Sequence, residues 1–282
     1  MEPKHPRIWT LFLLFFAGLG VQLAVGVLLL IPALLEVDWS SGAPDVEFFE
    51  AYLERPTVLL GSLVSTQVGL MLLLGLAVSA SATPWRERLA LRWGSASPAW
   101  LPLWVLATLG TGSLVSLLLD LEQSSYAQDL VSALDAATLP VAVGFVLLGS
   151  VLPGLVEELM FRGYIQHRLQ RRFPAWFSVG LTGVAFAVYH LEPLYILATI
   201  PIGVWLSFLA WKLDGIVPGI ICHAFNNFLV FVLMAFFPSV RTLSGPVAWA
   251  IDGTLIACLV VAVGVLVRWP MQTKPLSVQL TG

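Results

Sequence analysis

One stretch of an otherwise oily chain, VEELMFRGYIQHRL at positions 156–169, carries ionisable residues at spacings that could do chemistry. Two adjacent carboxylates, Glu157 and Glu158, end an apolar run, and Arg162 follows four residues after the second. Charges are costly in hydrocarbon, so such groups either satisfy one another or perform a function. Residues four apart on a helix share a face. Glu158 and Arg162 are therefore expected to form a structural ion pair. Glu157 is turned about 100° away from Glu158 and is left needing another partner.

His190 is the expected partner, by level rather than by sequence. Pro174 follows the basic run QRRF and opens a new apolar segment, which marks a helix junction. If the helix bearing Glu157 runs on to Arg172 and the next begins at Pro174, Glu157 and His190 each lie 16 residues from the junction. At 1.5 Å per residue both sit roughly 24 Å up antiparallel neighbours. A third group lies in CHAFNNF, where His223 and Asn227 are four apart and Asn226 is three from His223. An imidazole and a carboxamide on one face can donate to a developing oxyanion.

Together these groups could hydrolyse an amide inside a membrane. Glu157 would take a proton from water, and the donors around His223 would hold the oxyanion. The residues demand no cofactor, yet Glu157, His190 and His223 also have the composition of a three-ligand Zn²⁺ site. The H-E-x-x-H helix of common zinc peptidases is absent. Helix–helix hydrogen bonding is the bland alternative for each histidine and asparagine. Two rival classes stay open: a proton-coupled transporter, in which buried Glu and His form a relay, and a non-catalytic membrane scaffold.

The elements that must position these groups are membrane spans. The 282 residues are 58% hydrophobic and 11% charged, with a mean hydropathy of +0.89. Soluble domains carry about 25% charged residues. The fold class expected is all-α, a polytopic membrane protein of about eight transmembrane helices. Apolar windows fall near 8–35, 57–80, 99–119, 139–161, 174–191, 194–212, 215–237 and 247–268. The basic start MEPKHPR precedes an apolar run too long for a signal-peptide core, so the first span is read as retained. Cys222 and Cys258 sit inside apolar runs and are read as small buried hydrophobes.

Alternating from a cytoplasmic N-terminus puts Lys4, Arg7, Arg86, Arg88, Arg92, Arg162, Arg168, Arg171, Arg172, Lys212, Arg268 and Lys274 on the inner side, against Arg55 and Arg241 outside. That bias is the positive-inside signature and predicts both termini in the cytoplasm. The outer loops are acidic, with Glu36, Asp38, Asp45, Glu47, Glu50 and Glu54 in the first and Asp120, Glu122, Asp129 and Asp135 in the second. These acids are read as a solvated face. The small net charge of −3 offers nothing for nucleic acid.

The motifs resemble those of a known family. EELMFR fits E-E-x-x-x-R, FAVYH (Phe186 to His190) fits F-x-x-x-H, and HAFNN (His223 to Asn227) fits H-x-x-x-N. Their order over successive helices is similar to that of the CPBP intramembrane proteases, the CAAX-processing endopeptidases and bacteriocin-processing or self-immunity proteins also called the Abi family. The resembling part runs from about Val141 to Phe237. The resemblance implies an eight-helix fold and cleavage of peptide bonds of membrane-associated substrates, either prenylated CAAX-type proteins or bacteriocin-like peptides, with membrane lipid around the enzyme. It implies Glu157 as the catalytic glutamate with His190 as its partner in activating water. His223 and Asn227 become the oxyanion-stabilising pair, and Glu158 with Arg162 the supporting charges. Both a metalloprotease and a metal-free glutamate mechanism are compatible with it. The expected organisation is three N-terminal helices with acidic outer loops over 1–138, a catalytic core over 139–240, and a last helix with a cytoplasmic tail over 241–282.

Overall fold

The computed structural model describes residues 8–40, 42–79, 84–119 and 124–270, all helix, turn and loop with no strand among them. Lys4, Arg7, Asp120, Glu122 and Lys274, assigned to sides of the membrane above, lie outside the described residues. The helices are α1 (Trp9–Leu35), α2 (Val46–Leu53), α3 (Pro56–Ser79), α4 (Trp85–Arg88), α5 (Leu101–Leu118), α6 (Ser125–Asp135), α7 (Leu139–Leu169), α8 (Ala175–Val188), α9 (Pro193–Leu213), α10 (Val217–Phe236) and α11 (Pro246–Val267).

Seven of them are long and apolar enough to cross a membrane. Their side chains follow from that setting: Leu23, Val27, Leu72 and Val260 are each largely uncovered by protein, as a lipid-facing surface requires. The expected eighth span, 174–191, is the exception. α8 has 14 residues, or about 21 Å of rise, against a hydrocarbon core of about 30 Å. The apolar run outlasts the helix because the chain turns within it. Tyr189 and His190 form a turn, Leu191 takes a left-handed φ of 66°, and Pro193 restarts the helix. The Glu192 side chain caps α9 by accepting from the Leu194 and Tyr195 amides. Hydropathy does not register the turn, because Tyr189 and Leu191 carry the apolar run on to position 191.

Cross-links define the two ends of the bundle. At one end Arg88 Nη1 donates to the Val78 carbonyl at 2.9 Å, Arg92 pairs with Asp214, and Lys212 Nζ reaches the Val267 carbonyl at 3.3 Å. At the other end Ser124 Oγ donates to Glu192 Oε2 at 3.1 Å. There too Arg241 clasps Asp135 with two hydrogen bonds of 2.9 Å, tying α6 to the segment after α10. Those hydrogen bonds hold the Asp135 carboxyl below its ordinary pKa.

Helix approach is closest where side chains are missing. A Cβ on Gly154 of α7 would lie 2.7 to 2.8 Å from Ala224 of α10. One on Gly183 of α8 would lie 2.7 Å from the Val204 backbone of α9. Small residues of this kind let apolar helices pack backbone to backbone. The first contact packs α10 against α7, the helix that carries Glu157, and the second packs α8 against α9.

Candidate active site

α7 changes character where its charges begin. Up to Glu158 it is α-helical, and Leu159–Gln166 forms eight residues of π-helix. Such i→i+5 turns are frequent at functional sites, and Arg162 lies within this one. Arg162 Nη1 donates to Glu158 Oε1 at 2.7 Å, with both side chains fully buried. Its remaining donors reach the Gly203 carbonyl at 2.8 Å and Ser207 Oγ at 3.3 Å, and its guanidinium lies 4.4 Å from the Phe186 ring centroid. The expected ion pair is present, and α9 completes its hydrogen bonding.

Glu158 also holds His223. His223 Nδ1 lies 3.0 Å from the same Glu158 Oε1. A carboxylate paired with Arg162 can only accept, so Nδ1 carries the proton. His223 Nε2 is thereby aimed at the other carboxylate, 3.9 Å from Glu157 Oε2. His223 thus bridges the two adjacent acids.

Glu157 finds its hydrogen bond elsewhere than expected. Its Oε1 accepts from Gln67 Nε2 of α3 at 2.8 Å. His190 is not that partner: its Nδ1 lies 3.1 Å from the Phe186 carbonyl, so it donates there and leaves Nε2 as the nitrogen able to accept. Its ring is held edge-on between Phe186 and Tyr195, each about 5.1 Å away between centroids. The level pairing nevertheless brings Glu157 and His190 to one space. Glu157, His190, His223, Asn226 and Asn227 all line a single cavity of about 410 Å³. Asn226 Nδ2 lies 3.4 Å from Asn227 Oδ1.

Sequence reasoning missed Gln67 and Gln22, which line the same cavity from α3 and α1. Gln67 is 6% exposed, and Gln22 Nε2 donates to the Tyr189 carbonyl at 3.0 Å. The signal was present: each is a lone glutamine in a long apolar helix, where an unsatisfied amide is expensive.

Among the described residues, no three His, Cys, Asp or Glu side chains are grouped to hold a metal ion. One nitrogen of each histidine is already engaged, and Glu157 Oε1 is taken by Gln67. Holding each imidazole through Nδ1 leaves Nε2 as its other ring nitrogen, the arrangement in which a histidine can meet either water or a metal. The Glu157, His190 and His223 set places a carboxylate and polar donors around one cavity.

Residues 139–229 match the family model of type II CAAX prenyl endopeptidase, Rce1-like. This segment is CAAX-endopeptidase-like. It holds Glu157, Glu158, Arg162, His190, His223 and Asn227, and it overlaps the stretch from Val141 to Phe237 read from the motifs, beginning two residues earlier. It covers about a third of the chain, so Gln67 and Gln22 contribute to the cavity from outside the CAAX-endopeptidase-like part. No curated protein and no solved structure matches the chain.

Proposed function

We propose that this protein is an intramembrane endopeptidase that cleaves membrane-associated polypeptides with water activated by Glu157. The observation that carries the reading is the convergence of Glu157, His190, His223 and Asn227 on one cavity, inside a segment similar to the CAAX prenyl endopeptidases.

The chemistry follows from the atoms available. Glu157 Oε2 accepts a proton from a water in the cavity, and the water oxygen adds to the scissile carbonyl carbon. His190 Nε2 is free to accept the second O–H of that water and so to orient it. The oxygen of the attacked carbonyl becomes an oxyanion, for which Asn227 Nδ2 and His223 Nε2, when protonated, are the donors. Collapse breaks the C–N bond, and the leaving nitrogen takes back the proton held by Glu157. Glu158 and Arg162 hold His223 in place and remain charged throughout.

The test is cleavage by purified protein in lipid nanodiscs. A farnesylated CAAX peptide and the same peptide unmodified are compared, each with wild type and Glu157→Gln. Cleavage lost in Glu157→Gln supports the reading, and a preference for the farnesylated peptide assigns the CAAX-type substrate. Equal cleavage by Glu157→Gln overturns it.

A further inference from the structure

The turn that carries His190 is held from outside the CAAX-endopeptidase-like segment. Within the turn, the amides of His190, Leu191 and Glu192 donate to the Ala187, Val188 and His190 carbonyls at 3.0, 3.2 and 2.8 Å. The Tyr189 carbonyl, immediately before His190, receives no backbone amide among the described residues. Gln22 Nε2 of α1 donates to it instead, at 3.0 Å and from 167 positions away in the chain. The peptide plane joining Tyr189 to His190 is thus bonded at both edges, its N–H to Ala187 and its carbonyl to Gln22. A left-handed φ at a non-glycine residue, as at the next position, Leu191, persists only where its surroundings hold it.

α1 grips this turn along one face. Phe15, Gly18 and Gln22 stand three and four residues apart, a spacing that puts them on one side of a helix. All three meet Tyr189. The Phe15 ring centroid lies 6.0 Å from that of Tyr189, a Cβ on Gly18 would lie 2.7 Å from Tyr189 Oη, and Gln22 takes the carbonyl. The same Tyr189 ring meets Phe161 of α7 edge-on at 5.4 Å. The far end of the turn is tied separately, since Glu192 Oε2 accepts from Ser124 Oγ at 3.1 Å. With Glu192 anchored there, rotation of the Tyr189–His190 peptide plane is the motion left to the turn, and it would swing the His190 ring.

We infer that Gln22 is a positioning residue for His190: by fixing the peptide plane that precedes it, α1 sets where His190 Nε2 points in the cavity shared with Glu157. This rests on the reading of His190 as the group that orients the attacking water, and its test carries a readout independent of cleavage. Loss of the Gln22 donor should be partial in effect, because the net worth of one neutral hydrogen bond corresponds to roughly 2- to 10-fold in rate.

The experiment uses Gln22→Met, which keeps the length of the side chain and removes the donor. Leu23→Met, on the uncovered face of the same helix, is the control. Peptide cleavage in nanodiscs gives kcat and KM. Nitrogen NMR of imidazole-labelled protein gives the tautomer of each of the four histidines, with His190 assigned by the loss of its signals in His190→Gln. Wild type and Leu23→Met should show His190 protonated at Nδ1 with a bare Nε2, as its bond to the Phe186 carbonyl requires. In Gln22→Met, kcat should fall while KM holds. The His190 signals should move toward an exchange average of the two tautomers, and those of His223, held by Glu158, should stay in place. A rise in KM at constant kcat would make Gln22 a substrate contact and overturn the inference. So would His190 signals unchanged from wild type, or shifts shared equally by His223. If wild type cleaves no peptide, the reading of the site as a peptidase fails, and the His190 signals alone decide the positioning.

Discussion

Gln67 Nε2 donates to Glu157 Oε1 at 2.8 Å, joining two helices ninety residues apart in the chain. The bond fixes one oxygen of the carboxylate and leaves the other, Oε2, toward His223. Gln67→Leu removes the donor and keeps a similar volume. A hydrogen bond to a charged group is worth about 1.5–3 kcal/mol, so kcat/KM should fall roughly 10- to 150-fold if the bond orients the reacting carboxylate. Gln67→Glu should lose more, because two carboxylates would face each other at hydrogen-bond distance. Peptide cleavage kinetics on folded variants check this, and an unchanged kcat/KM would make Gln67 a bystander.

What was legible in the sequence follows from which forces act locally. Hydropathy marks the spans because each must bury its backbone polarity in one helix. The Glu158–Arg162 bond is legible because it is made within four residues of one helix. The Glu157–Gln67 bond is not, because it depends on how α3 lies against α7. The end of α8 was misplaced for a different reason. Tyr189 and Leu191 are apolar enough to prolong a span on paper, while a left-handed φ at Leu191 ends the helix in fact. His190 therefore sits in a turn, its ring fixed by the Phe186 carbonyl, rather than on a helix face.

The Glu158–Arg162 pair should be a matter of stability first. Arg162→Ala leaves Glu158, fully buried, with only His223 against its charge. It also strips donors from the Gly203 carbonyl and Ser207. Removing one partner of a buried pair costs about 3–5 kcal/mol. Melting in detergent should therefore drop further for Arg162→Ala than for Glu157→Gln, which keeps its shape and its bond to Gln67. Equal melting temperatures would contradict the assignment.

The close approach of α7 and α10 should matter to activity as well as to folding. At Gly154 a new Cβ would press on the backbone of Ala224, and overpacking of this kind costs about 1–3 kcal/mol. The displaced helix carries His223, so Gly154→Ala should lower both the melting temperature and the cleavage rate. Gly61→Ala is the matched control, since a Cβ there meets nothing within 4 Å. If the two variants melt and cleave alike, the helix contact does not set the site geometry.

The order of losses among Glu157→Gln, Asn227→Ala and chelation separates the mechanisms that the site chemistry leaves in play. A metal-free glutamate mechanism requires Glu157 to take the water proton. Glu157→Gln should then reduce cleavage to background while the protein stays folded. Asn227→Ala removes one oxyanion donor and leaves the base intact, and losses of that kind run to about 10²–10³ in kcat. A helix-clamping role would instead tie each loss of activity to a loss of melting temperature, with no ranking between the two. Chelation addresses the remaining term. The metal-free mechanism predicts that treatment with a chelator leaves the rate unchanged. Loss of cleavage on chelation, restored by Zn²⁺ and accompanied by metal bound in wild type but not in His190→Ala or His223→Ala, would replace the glutamate–water mechanism with a metal-assisted one.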